Sequence, residues 1–151
     1  MTWQTVSTSS EQTEQLGAKL GASLKGGEVI ELVSDLGGGK TTFVRGLARG
    51  AQTTDKVASP SFTISKVYQC PLFEIHHFDF YRLSEPGVVA HELAELVGDP
   101  HVVVVIEWAD VVQHVLPDER LTVSIQQAQN DTRQLEFRCQ QPLAYLVEAI
   151  K

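Results

Sequence analysis

Three glycines, a lysine and two threonines stand in one unbroken run, Gly37-Gly38-Gly39-Lys40-Thr41-Thr42. Those residue types in that order could hold a phosphate chain. Glycines let the backbone turn tightly, so that several N–H groups face phosphate oxygens. A helix starting just after the turn adds its positive N-terminal end. The lysine supplies a mobile positive charge to the outer phosphates, and the hydroxyl that follows it is the usual ligand of Mg²⁺. The full pattern, G-x-x-x-x-G-K-[ST], asks for glycine at position 34, where this chain has Ser34. Serine is small and bonds locally to turns, so it fits there provided the position needs no positive φ.

Hydrolysis at such a loop also needs an acidic residue at the end of a second buried strand. Glu107, closing the run "VVVVIE", is in that place, although aspartate is usual. Asp79, in "HHFDFYRL", is a second candidate acid. The pair His76-His77 has no further histidine or cysteine at ligand spacing, so one of the two is expected to be a polar neighbour of Asp79 rather than a metal ligand. The only asparagine is Asn130, followed by Asp-Thr, which leaves no N-K-x-D guanine signature and favours ATP over GTP. None of the six arginines cluster as a kinase lid would require, and Arg82 is the nearest candidate for an arginine finger.

The elements that must position these groups follow from periodicity. "TSSEQTEQLGAKLGASLKGG" predicts a helix with Leu16, Leu20 and Leu24 on one stripe and caps available from Thr8, Ser9 and Ser10. "EVIELV" predicts a buried strand leading into the loop, and "KTTFVRGLARG" a helix leading out. Strands are expected in "ASPSFTISKVYQC" and "FEIHHFDFYRL", a helix in "EPGVVAHELAELVG", and a central strand, covered on both faces, in "HVVVVIEW". "RLTVSIQQ" and "RQLEFRC" alternate as an antiparallel pair, and "PLAYLVEAIK" closes as a helix with Pro142 in its first turn. The alternation of element types predicts a three-layer α/β domain over residues 1–151, its sheet parallel at the centre and antiparallel at the flank.

Net charge is −7 over 151 residues, which disfavours unaided binding to nucleic acid because phosphate contacts need a basic surface. Cys70 and Cys139 are far apart, with no zinc or disulfide pattern, and read as reduced thiols. The first fifteen residues lack a signal-peptide pattern, and no apolar run approaches the length of a membrane span. A cytoplasmic protein with no membrane partner is the expectation.

Taken together, "SDLGGGKTTFVRG", "SPSFTI", "HFDFYRL" and "VVVIEWAD", in this order and spacing, resemble the bacterial TsaE (YjeE) family, from about Ser10 through Arg133. "HFDFYRL" followed by "IEW" is far more specific than the loop alone, and Ser34 departs from the glycine more often found in the family. The resemblance implies a P-loop NTPase-like sandwich with a mixed sheet and an ATPase needed for threonylcarbamoyladenosine in tRNA. It implies Thr41 and Glu107 on Mg²⁺, Asp79 as a catalytic or water-positioning residue, "SPSFT" (Ser59 to Thr63) as a switch near the γ-phosphate, and Trp108 beside the site. Nucleotide contacts are expected from Ser10, Thr13, Asp35, Leu36, Gly37, Gly38, Gly39, Lys40, Thr41, Thr42 and Arg133. The implied partners are TsaD, which transfers the group to adenosine, and TsaB, with tRNA reached only through that complex; TsaC makes the activated adenylate separately. Two other functions use the same loop: a small-molecule kinase with Asp79 as base, and a nucleotide-sensing interaction module with negligible turnover.

Overall fold

In a computed structural model of the chain, residues 1–35 and 37–151 are described. Seven strands form one sheet: β1 (Thr2–Ser7), β2 (Val29–Ser34), β3 (Ser65–Gln69), β4 (Glu74–Asp79), β5 (Val102–Glu107), β6 (Leu121–Gln127) and β7 (Arg133–Arg138). Their order is β1-β7-β6-β2-β5-β4-β3. β6, β2, β5 and β4 run parallel. β7 and β1 on one side, and β3 on the other, run antiparallel. The centre is parallel as expected, but both edges, not one, are antiparallel.

β1 is the strand that sequence reading missed. "TWQTVS" is mostly exposed and pairs only with β7, from Thr2 opposite Arg138 to Ser7 opposite Arg133. An edge strand with one neighbour needs no apolar run, so it leaves no hydrophobic signature.

Helices α1 (Ser10–Ser23), α2 (Lys40–Gly50) and α4 (Ala144–Glu148) cover one face, and α3 (Gly87–Leu96) and a 3₁₀ segment, Ala109–Val115, cover the other. β5 shows why both faces are covered. Val103 and Val105 belong to the core under α2, while Val102, Val104 and Ile106 belong to the core under α3. Side chains alternate faces along a strand, so an unbroken apolar run requires two layers of helix. The closing helix is shorter than its sequence suggested: Pro142 lies in a 3₁₀ turn, Gln141–Leu143, and α4 begins only at Ala144.

α1 starts as its sequence promised. Ser9 caps it by accepting from the Gln12 N–H (3.1 Å), and the Gln12 side chain accepts from the Thr8 N–H (2.8 Å). It lies against α2 at backbone contact, because the facing positions are glycines. A Cβ on Gly17 or Gly21 would overlap backbone of α2, and one on Gly46 or Gly50 would overlap the carbonyls of Glu14 and Ala18. This approach sets the N-terminus of α1 beside that of α2. Gly46→Ala is therefore expected to lower stability by about 1–3 kcal/mol, because a packed helix must move to admit a methyl group. Chemical denaturation measures it, and an unchanged midpoint would mean that the helices separate freely.

Candidate nucleotide-binding and active site

Strand parity selects the residues that meet. Glu107 follows Val103 and Val105 at steps of two, so its carboxylate points to the α2 face. His77 and Asp79 share the parity of Ile75 on β4 and point the same way. Asp79 lies opposite Glu107 in the β4–β5 register. Two buried carboxylates, 5% and 2% exposed, therefore stand side by side at the C-terminal ends of neighbouring parallel strands. In open α/β sheets that end is where ligands bind.

The glycine loop faces them. Gly37 (φ 75°) and Gly39 (φ 101°) occupy the left-handed region, which only glycine enters without cost. Gly39 is also the N-cap of α2. Ser34 is the last residue of β2 and has no positive φ, so its position makes no demand for glycine. Its hydroxyl donates to the Asp35 carbonyl (3.0 Å), and a Cβ at Gly38 would overlap it. Lys40 donates from Nζ to the Ser34 carbonyl (3.1 Å) and lies 4.5 Å from the centre of the Trp108 ring. Burial lowers its pKa, opposed by the negative charges of Glu107, Asp79 and Asp35. Trp108 itself adopts φ 56°, ψ 55°, a strained conformation for a bulky residue, with its ring 5.0 Å from that of Tyr81.

A cavity of about 330 Å³ joins Gly37 to Thr42 with Ser59, Ser61, Asp79, Glu107, Trp108 and Arg133. Arg133 starts β7 and reaches across the loop. Its Nε donates to the Gly38 carbonyl (3.2 Å), whereas Nη1 is buried without a hydrogen-bond partner. A buried cationic donor left open beside the glycine loop fits a phosphate oxygen. For Mg²⁺, the Thr41 hydroxyl and the Glu107 carboxylate line the same cavity. Among the described residues no cluster of three or more His, Cys, Asp or Glu side chains could cage a metal. One or two protein oxygens completed by phosphate and water suit Mg²⁺.

Of the remaining expected contacts, Ser10 and Thr13 border a narrow cleft with Gly39, Thr42 and Arg133. The Thr13 hydroxyl is already engaged, 2.8 Å from Ser7 Oγ and within bonding distance of the Ser9 carbonyl. Asp35 is exposed at the start of the loop, its carbonyl accepting from the Gly38 N–H (3.1 Å). Leu36 lies outside the described residues.

His77 shares the face of Asp79 as its polar neighbour, and the bonds around the two residues are specific. Neither histidine is hydrogen-bonded to Asp79: His76 pairs with Glu74 (2.9 Å), and His77 pairs with Glu107 (2.7 Å). The partner of Asp79 is Ser61, whose Oγ donates to Oδ2 (2.8 Å), while the Tyr81 N–H bonds Oδ1 (2.9 Å). Arg82, the nearest candidate finger, lies exposed, with its guanidinium 4.7 Å from the ring centre of Phe62, and does not line the cavity. Sequence reading also passed over Tyr68, which is buried behind His77. The step of two puts His77 and Asp79 on one face of β4, but their placement beside Glu107 comes only from the strand register.

Loop, sheet order and paired carboxylates define a P-loop NTPase-like α/β protein. A family model described as "Threonylcarbamoyl adenosine biosynthesis protein TsaE" matches residues 7–135. The chain belongs to the TsaE family, a family of tRNA threonylcarbamoyladenosine biosynthesis. It is 37% identical to the TsaE protein of Bacillus subtilis (strain 168) over 89% of this chain and 83% of that one. It is 34% identical to that of Treponema pallidum (strain Nichols), over 86% and 96%. The crystal structure of Bacillus subtilis YdiB superposes with a TM-score of 0.82 at 31% identity, covering 99% of this chain and 94% of that one.

Proposed function

We propose that this chain binds ATP with Mg²⁺ at Gly37–Thr42 and hydrolyses it to drive or reset a TsaB–TsaD complex that modifies tRNA. The observation that carries the reading is the facing pair Asp79 and Glu107, buried at adjacent strand ends beneath a glycine loop with Lys40 and the open Arg133 Nη1. The roles follow from what each group can do. Loop N–H groups and Lys40 neutralise phosphate oxygens, and Arg133 adds a second positive charge. Thr41 and Glu107 would hold Mg²⁺, which supplies charge neutralisation to the phosphates when bound. Asp79, held from both sides by Ser61 and Tyr81, would orient an attacking water and accept its proton. Ser10, Thr13 and Thr42 would border the nucleoside end.

No residue in the cavity is assigned to threonylcarbamoyl transfer, which is left to TsaD. The net charge of −7 supports contact with tRNA only through the complex. Among the described residues no helix is long and apolar enough to cross a membrane; a cytoplasmic location is part of the proposal.

The test is Glu107→Gln, followed by calorimetric titration of ADP with and without Mg²⁺. The amide keeps the shape and loses the charge. Mg²⁺-free binding is expected to stay within about twofold, and the Mg²⁺ requirement to rise by roughly 10–100-fold, at least what losing an outer-shell partner costs. Equal weakening with and without Mg²⁺ would give Glu107 a structural role instead.

A further inference from the structure

Behind Glu107 runs a buried line of polar groups that the phosphate chemistry does not use. Glu107 Oε2 is 2.7 Å from His77 Nε2, and a carboxylate only accepts, so this nitrogen carries the proton. On the far side of the ring, His77 Nδ1 lies 3.3 Å from the Tyr68 hydroxyl. The same hydroxyl is 3.0 Å from the Ala58 carbonyl, so its single proton goes to that carbonyl or to Nδ1, one at a time. His77 is 0% and Tyr68 2% exposed, so water does not compete for these bonds. Ala58 begins the segment 58–64, whose Ser59 and Ser61 line the cavity together with the glycine loop.

The same segment reaches the other carboxylate directly. Ser61 Oγ bonds Asp79 Oδ2 (2.8 Å), and the Ile64 carbonyl accepts from the Asp79 N–H (2.8 Å). Ile64, at the entry to β3, has φ 69°. A β-branched residue in the left-handed region is strained and persists only where its surroundings hold it. One short segment thus touches both acids, one through Ser61 and the other through a tyrosine and a histidine.

We infer that His77 is a positioning residue for Glu107, and that Tyr68 ties this positioning to the conformation of segment 58–64. The inference rests on the reading of Glu107 as a Mg²⁺ ligand. His77 removes one freedom of the carboxylate by fixing Oε2, so that Glu107 meets the metal already oriented. A segment that shifts at Ala58 moves the Tyr68 hydroxyl, and with it the support of the ring. The Mg²⁺ site and the segment over the loop then change together.

The test uses the full chain with Trp3→Phe, so that the Trp108 fluorescence reports the site, and titrates Mg²⁺ at a fixed concentration of ADP, which needs no turnover. Asparagine places an amide near Nδ1 and loses the bond to Glu107; glutamine places one near Nε2 and keeps it. His77→Asn is expected to bind Mg²⁺-free ADP like the parent but to need about tenfold more Mg²⁺ for half of the signal. His77→Gln restores most of that shift. Tyr68→Phe, which removes one oxygen and keeps the ring, moves the requirement the same way, and carries the test alone should His77→Asn fail to fold. Folded variants that bind ADP and respond to Mg²⁺ at the parent concentration overturn the inference and leave the nucleotide site standing. A parent protein whose ADP binding ignores Mg²⁺ overturns the functional reading on which it rests.

Discussion

Adding purified TsaB and TsaD is expected to raise phosphate release from ATP by roughly a thousandfold over the chain alone, within the ~10³–10⁵ that an arginine finger is worth. The physical reason is a missing charge. Negative charge spreads over the γ-phosphoryl oxygens in the transition state, and a P-loop with only its lysine and metal leaves part of it unmet. Arg82 does not supply it from within, because its guanidinium lies exposed on Phe62, away from the cavity. Arg133 already spends its Nε on the Gly38 carbonyl at the loop itself. The segment 58–64 offers partners a route to the site, since Phe62 is 84% exposed while Ser61, the residue before it, holds Asp79. Steady-state phosphate release at saturating ATP, with and without the pair, reads the effect. Equal rates would move the reading toward a small-molecule kinase or toward another partner.

Lys40→Ala is expected to cost on the order of a hundredfold or more in turnover, the scale of losing one pre-organised charge contact in a closed site. Lys40 is not holding the fold together. Its Nζ has one backbone partner, the Ser34 carbonyl, and burial disfavours its charge in the free protein. A buried lysine with a lowered pKa is a cost to the folded state while it remains charged, so its removal leaves stability unchanged or raises it. Its neighbours are Glu107, Asp79 and Asp35, and an incoming phosphate chain adds negative charge on the same side. Turnover and thermal unfolding measured together separate the roles: a loss of rate with the unfolding temperature kept marks a binding charge, and a loss of both marks a packing residue.

Much of this arrangement was legible in the chain, and the limits have physical causes. Gly37 and Gly39 announce positive φ, and "VVVVIE" announces a strand covered on both faces; both signals are local. The replacement at Ser34 proved compatible with the loop because the demand for glycine falls at Gly37 and Gly39. β1 escaped notice because an exposed edge strand carries no apolar pattern. The pairing of His77 with Glu107 spans 30 residues and is set by the β4–β5 register, which no window of sequence contains. Arg133 lies 95 residues from the glycine it bonds, so only the resemblance to a family pointed to it.

ATP hydrolysis at the Gly37–Thr42 loop, in the service of the partner complex, is the central proposal. The most direct measurement is phosphate release from Mg²⁺-ATP by the parent chain and by Lys40→Ala, side by side, each with TsaB and TsaD present. The account predicts stimulated release by the parent and, for the variant, a rate lower by about a hundredfold or more. Equal release by both proteins, or none by the parent, would contradict it.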